Sequence, residues 1–170
     1  MEIAFLLFLL ALAVSILLPF FSLAPWLPTR DKDIGRILAL ARLKPGERFY
    51  DLGCGDGRVV AAAAEQGAVA VGLEISFAMW LVCRVRQALG SARGAKFLLK
   101  DLFKQDLSDA DAVYVYGTTA TNARLLKPKL EAELRPGARV ITYDFRIDGW
   151  EPAAIDGTPP RDKRIYLYLR

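Results

Sequence analysis

The longest pattern along the chain is an unbroken apolar one. From Ile3 to Ala24 no side chain is charged, and only Ser15 and Ser22 are polar. About 22 residues make roughly 33 Å of helix, enough to cross a bilayer core, so hydropathy predicts one N-terminal transmembrane helix. Pro19 would kink it near its end, and Trp26 would sit at the interface. A cleaved signal peptide would want a basic start, but the chain opens Met1-Glu2, and Pro25 follows the small-residue triplet Ser22-Leu23-Ala24. Arg30, Lys32, Arg36 and Arg42 all lie just behind the span. The positive-inside rule then puts the N-terminus outside and the rest of the chain in the cytoplasm, as a single-pass membrane protein.

Behind a stiff connector, Pro25-Trp26-Leu27-Pro28-Thr29, the hydrophobic period changes to that of a helix. Ile34, Ile37, Leu38 and Ala41 fall at i, i+3, i+4 and i+7, and Asp31 and Asp33 suit the helix start. Lys44-Pro45-Gly46 ends it. From there short apolar runs alternate with helical stretches. Arg48–Tyr50, Val69–Leu73, Lys96–Leu99, Ala112–Tyr116 and Ala138–Tyr143 read as strands. The runs 59–64 and 77–89 and an interrupted segment with Pro128 at a turn start read as helices. Phe145–Ile147 and Ile165–Leu169 complete a terminal strand pair. The predicted fold class is therefore α/β: a Rossmann-like, doubly wound, mostly parallel sheet with an antiparallel edge, preceded by the transmembrane helix. The domain boundaries are 1–24 for the anchor, 25–30 for the connector and 31–170 for the folded domain.

Ligands of such sheets bind beyond the carboxyl ends of the strands. Asp51, Glu74, Asp101, Tyr116 and Asp144 all end strands in this parse, so one rim collects them. The first of these ends is Asp51-Leu52-Gly53-Cys54-Gly55-Asp56-Gly57-Arg58. Its glycines permit a tight turn and close approach of a ligand to the backbone. The spacing is G-x-G-x-G, neither the dinucleotide G-x-G-x-x-G nor the P-loop G-K-[ST]. Asp51 and Asp56 bracket the turn with negative charge, which disfavours a pyrophosphate and suits a ligand with a positive charge and an ammonium group. Glu74, at the tip of the second strand, is placed to take two ribose hydroxyls.

Composition narrows the chemistry. The 170 residues carry 23 Lys and Arg against 19 Asp and Glu, a net charge of +4 spread along the chain, so no nucleic-acid face is indicated. Cys54 and Cys83 suggest small buried hydrophobes rather than a disulfide framework. The sequence contains no histidine, which excludes Ser-His-Asp and Cys-His catalysis and any imidazole metal ligand.

The glycine turn with Glu74 resembles motif I and its acidic partner in the class I S-adenosylmethionine-dependent methyltransferases. A closer resemblance covers nearly all of the chain behind the apolar stretch. Pro25–Thr29, Tyr50–Arg58, Gly72–Ile75, Asn122, Leu125–Gly137, Asp144-Phe145 and Gly149–Pro152 are similar to a family of small protein lysine methyltransferases of archaea and mitochondria. The resemblance implies S-adenosyl-L-methionine as cofactor, with Pro28 and Thr29 folded over it and Asp101 facing the adenine amino group. The cofactor-binding set is then Pro28, Thr29, Asp51, Gly53, Gly55, Asp56, Glu74, Ile75, Asp101, Leu102 and Tyr116. The catalytic candidates are Tyr116, Asn122, Tyr143 and Asp144, with Tyr143-Asp144 bordering the acceptor lysine. No metal is implied. Gly117-Thr118-Thr119 departs from the family, whose members are bulkier and more apolar there. The implied activity is membrane-anchored protein lysine N-methylation of a membrane-associated substrate, with the bilayer as a second partner through residues 3–24. A small-molecule or lipid methyltransferase and a non-catalytic cofactor-binding module are the alternatives.

Overall fold

In a computed structural model, residues 3, 5–7, 9–10, 27–117 and 125–170 are described. Helix α1 (Asp31–Ala41) precedes β1 (Arg48–Leu52), α2 (Arg58–Glu65), β2 (Val69–Glu74), α3 (Phe77–Ala88) and β3 (Lys96–Leu99). A single 3₁₀ turn at Leu102–Lys104 leads to β4 (Ala112–Val115), α4 (Lys127–Glu133), β5 (Arg139–Tyr143), β6 (Ala154–Asp156) and β7 (Ile165–Leu169).

The seven strands form one sheet in the order β3-β2-β1-β4-β5-β7-β6. The first five run parallel, β7 runs antiparallel to β5, and β6 runs antiparallel to β7. Alternation along the strands splits the core in two. Phe49, Tyr114, Ile141 and Tyr143 face α1, α2 and α3, with Ile37, Val60 and Cys83 packed among them. Tyr50, Val113, Val115 and Val140 face the other way, against Leu126, Leu130 and Leu134 around α4. Pro128 lies in the first turn of α4, where its missing N–H costs no hydrogen bond.

Two expectations are corrected. The outer partner of β7, on the side away from β5, is Ala154–Asp156, not Phe145–Ile147. Phe145 and Ile147 are buried, and their backbone bonds outside any ladder: the Thr142 hydroxyl donates to Phe145 O at 2.7 Å, the Ile147 N–H donates to the Tyr168 hydroxyl at 3.0 Å, and Ile147 O accepts the Trp150 N–H at 3.1 Å. The second correction concerns the transmembrane helix expected over residues 3–24. Among the described residues no helix is long and apolar enough to cross a membrane. Residues 11–26 lie outside the described residues. Hydropathy measures composition, whereas spanning also needs about 20 residues of continuous helix. The single-pass membrane localisation and its cytoplasmic orientation lose their basis with that helix.

The sheet order reverses between β1 and β4, because the chain winds outward through β2 and β3 and then returns to continue through β4 and β5. The crevice beyond the carboxyl ends of β1 and β4 is the ligand position such a reversal creates.

Candidate active site

β1 delivers Asp51 to this crevice, where it is only 2% exposed. Its side chain has no hydrogen bond or ion pair among the described residues. Burial, and then the charges of Glu74 and Asp56, push its carboxyl well above the ordinary carboxylate range. The turn behind it needs glycine: φ is 98° at Gly53, 54° at Gly55 and 77° at Gly57, all in the region that side chains avoid. Leu73 O, near the end of β2, accepts the N–H groups of both Gly53 (3.0 Å) and Cys54 (2.9 Å) and locks the turn to the sheet. Gly72 makes that approach possible, since a Cβ there would lie 2.7 Å from Cys54 Sγ and 2.9 Å from Val60 Cγ2.

Glu74 is buried at the end of β2. Its Oε2 accepts the Gly55 N–H at 2.9 Å and its Oε1 the Ser76 N–H at 2.7 Å. Burial raises its pKa and the backbone donors, Ile75 among them, partly oppose the rise. Each oxygen keeps a second lone pair for a ligand hydroxyl. A buried, unpaired Asp51 beside a buried Glu74 fits a ligand that carries a positive charge and a diol.

Asp56 differs from the expectation of a free negative charge. Arg58 grips it at 2.8 Å and Arg86 at 2.7 Å. Burial opposes its ionisation, but the guanidinium contacts outweigh burial and hold its pKa low. Arg58 also reaches Asp31 at 2.8 Å and donates to Thr29 O at 3.2 Å, so it ties the connector to the glycine turn. The hydroxyls of Thr29 and Tyr114 share a 2.7 Å hydrogen bond across the β4 end of the crevice. Pro28, next to Thr29, is exposed. Asp101 lies beyond β3, with its carboxylate accepting the Phe103 N–H at 3.0 Å, and Leu102 is buried under that turn.

The catalytic candidates divide. Tyr116 and Tyr143 meet edge to face, with ring centroids 4.9 Å apart. Tyr143 is buried, donates its hydroxyl proton to Asp33 at 2.7 Å and accepts from Arg30 Nε at 3.1 Å. Burial and then Asp33 push its pKa up to about 12, so it is a neutral phenol rather than a base. Asp144 leaves β5 with φ 66°, a left-handed residue that turns the chain at the rim, and its carboxylate meets the ammonium of Lys163. Asn122 lies outside the described residues.

Sequence reasoning missed Asp33, Arg30, Arg58, Tyr114 and Lys163. Asp33 is completely buried and accepts from Arg30 at 2.7 Å and from Arg36 at 2.6 Å. One signal pointed to it: it stands four residues before Ile37, on the inward face of α1. Arg58 ends the glycine-turn motif, though nothing there shows its partners, and Arg30, Tyr114 and Lys163 carried no local signal.

Residues 51–154 match the model of the ANTKMT methyltransferase domain. A protein-lysine N-methyltransferase of Saccharolobus islandicus is 38% identical over 157 residues, 85% of this chain and 92% of the relative. The adenine nucleotide translocase lysine N-methyltransferase of Mus musculus is 36% identical over 137 residues, 78% of this chain but only 58% of the relative's length. A solved structure described as an RNA methyltransferase from Salinibacter ruber, in complex with S-adenosyl-L-homocysteine, superposes with a TM-score of 0.78 at 33% identity. That match covers 84% of this chain and 93% of the other. With a motif I turn at the sheet's reversal point and these relatives, the chain belongs to the ANTKMT methyltransferase domain family and is a class I S-adenosylmethionine-dependent methyltransferase.

Proposed function

We propose that the acceptor of this methyltransferase is the side-chain ammonium of a protein lysine. The observation that carries the reading is the Asp144–Lys163 pair: at the rim, next to Tyr116 and Tyr143, a carboxylate already holds a primary ammonium. The names of the Saccharolobus and mouse relatives, both lysine N-methyltransferases, support it. The Salinibacter protein is described as an RNA methyltransferase, but the Asp144 carboxylate offers an acceptor ammonium a partner that it cannot offer a phosphate.

Asp51, the Gly53–Gly55 turn, Glu74 and Ile75 form the proposed cofactor cradle, with Asp51 opposite the methionyl ammonium and Glu74 on the ribose diol. Asp101 and Leu102 flank the adenine, and Pro28, Thr29 and Tyr116 border the methionyl end. Asp56 acts at one remove, by fixing Arg58 and through it the connector. When bound, S-adenosylmethionine would supply a methyl carbon on a sulfonium, to which the acceptor amine would bond in line as the C–S bond breaks and S-adenosylhomocysteine leaves.

The chain's own residues then have to bind and aim the amine. Lys163 reports how Asp144 treats an ammonium, because the hydrogen bond to Asp144 raises the Lys163 pKa. Asp144 therefore attracts and orients a lysine but keeps it protonated. Proton removal falls to water. Tyr143, with a pKa of about 12 and its hydroxyl committed to Asp33, is buried behind Tyr116, whose partly exposed ring forms the wall of the site. The test is transfer of a labelled methyl group from the cofactor into a cell lysate, followed by mass mapping. Label on lysine side chains is expected, and label confined to RNA, lipid or small-molecule extracts would overturn the proposal.

A further inference from the structure

Lys163 does not reach Asp144 by a chance excursion of a surface side chain. The register that pairs Tyr143 with Ile165 sets the residues just before β7 across from the end of β5. The Asp144 N–H donates to Arg164 O at 2.7 Å, and Arg36 Nη2 donates to Lys163 O at 3.4 Å. Gly157, just beyond β6, lies against the same carbonyl so closely that a Cβ there would collide with it. The backbone of Lys163 is thus pinned from three sides, independently of its ammonium.

The pinned backbone delivers that ammonium to the rim. There it meets the Asp144 carboxylate and is near enough to Tyr116 for each charge to affect the other's titration. Four other lysines are committed elsewhere: Lys129 to Glu133, Lys127 to Asp148 O, Lys100 to Gln105 and Lys32 to Asp162. Lys163 presents the same functional group as the acceptor, at the carboxylate assigned to the acceptor.

We propose that Lys163 is the resident occupant of the acceptor-ammonium subsite, and that an incoming lysine must displace it from Asp144. This rests on the reading of Asp144 as the acceptor carboxylate. The side chains of Asp144 and Lys163 are 32% and 43% exposed, so the contact is solvated and readily exchanged rather than a permanent block. Lys163 then sets a threshold. It admits amines that hold Asp144 better than a tethered lysine does, through contacts beyond the ammonium itself.

The test uses the full chain loaded with S-adenosylhomocysteine, which permits binding without turnover, and N-acetyl-lysine methylamide as the probe in an NMR titration. Lys163→Gln keeps length and removes charge, so it should tighten probe binding about two- to fivefold, the range an exposed ion pair contributes. Lys163→Met should do the same, and Lys163→Arg should bind as the parent does. Asp144→Asn should weaken binding, and adding Lys163→Gln to it should give no further gain. If Asp144→Asn weakens binding while both neutral Lys163 variants match the parent, Lys163 does not occupy the subsite, though Asp144 still binds the acceptor. If Asp144→Asn itself binds the probe as the parent does, the assignment of Asp144 fails and the inference with it.

Discussion

Asp51→Asn should stabilise the empty enzyme and weaken its grip on cofactor. The substitution is nearly isosteric, so it changes charge and little else. In the wild type a carboxylate only 2% exposed has no partner among the described residues, and its pKa is raised by burial and by Glu74. An acid whose folded pKa exceeds its unfolded value contributes fully to stability at pH below the unfolded value, about 3.9. That contribution is lost as pH rises through the folded pKa, at up to about 1.4 kcal/mol per pH unit. An unpaired buried polar group costs about 1–3 kcal/mol on mutational scales, and an amide keeps part of that cost. Removing the charge should therefore recover about 1–2 kcal/mol near neutral pH. For a chain of this size that raises Tm by roughly 2–8 °C. The gain should shrink toward pH 4, where the wild-type carboxyl is protonated as well. Cofactor affinity should move the other way. Loss of a charge-assisted contact is worth about 1.5–3 kcal/mol, or roughly ten- to a hundredfold in Kd. Scanning calorimetry between about pH 4 and 8, with and without S-adenosylhomocysteine, reads both effects. An Asp51→Asn protein that melts below the wild type at neutral pH, or that keeps the wild-type pH slope, would refute the reasoning.

Glu74→Ala should lower S-adenosylmethionine affinity by about ten- to a hundredfold, since it removes a charged acceptor from both the ligand and the turn N–H groups of Gly55 and Ser76. Calorimetric titration checks this, and an unchanged Kd would displace Glu74 from the site. Gly72→Ala drives a Cβ to 2.7 Å from Cys54 Sγ, an overpacking worth about 1–3 kcal/mol, which Cys54→Ala in the same chain should partly relieve. A single variant with the wild-type Tm would contradict the close approach. Asp33→Asn strips the partner from two guanidiniums and the Tyr143 hydroxyl and should cost about 3–5 kcal/mol, against about 1 kcal/mol for Tyr143→Phe. Burial opposes ionisation of Asp33, yet Tyr143, Arg36 and Arg30 hold its pKa low. Its contribution is present above the unfolded carboxyl pKa and fades as pH falls through the folded one, so Asp33→Asn should flatten the acid side of the stability profile. A profile identical to the wild type's would show that the network does not stabilise the fold.

Periodicity made the sheet legible because both faces of it are covered. Phe49 and Tyr50 serve opposite cores, as do Val113 and Tyr114, so each strand reads as a short apolar run between turns. β6 gave no such signal. Its three residues are at most half-buried, and pairing with β7, not sequence pattern, makes them a strand. The parsed strand ends and the rule that ligands lie past them collected Asp51 and Glu74 on one rim from the sequence. The rule fixes position but not partners. Asp51 and Asp56 read alike as acids flanking a glycine turn, yet one is buried without a counter-ion among the described residues and the other is held by Arg58 and Arg86. Asp33 read as a residue suited to the start of a helix, because its role depends on Tyr143, 110 residues away. Residues 3–24 show the same limit from the other side, since an apolar run states what a segment is made of but not what it spans. Lys163 is the hardest case. In the segment Arg161-Asp162-Lys163-Arg164 nothing distinguishes it from a solvated basic loop, and Lys32 looks the same in sequence. What separates them is register: an antiparallel strand closing against β5 carries Lys163 to the carboxylate at the rim and leaves Lys32 against Asp162.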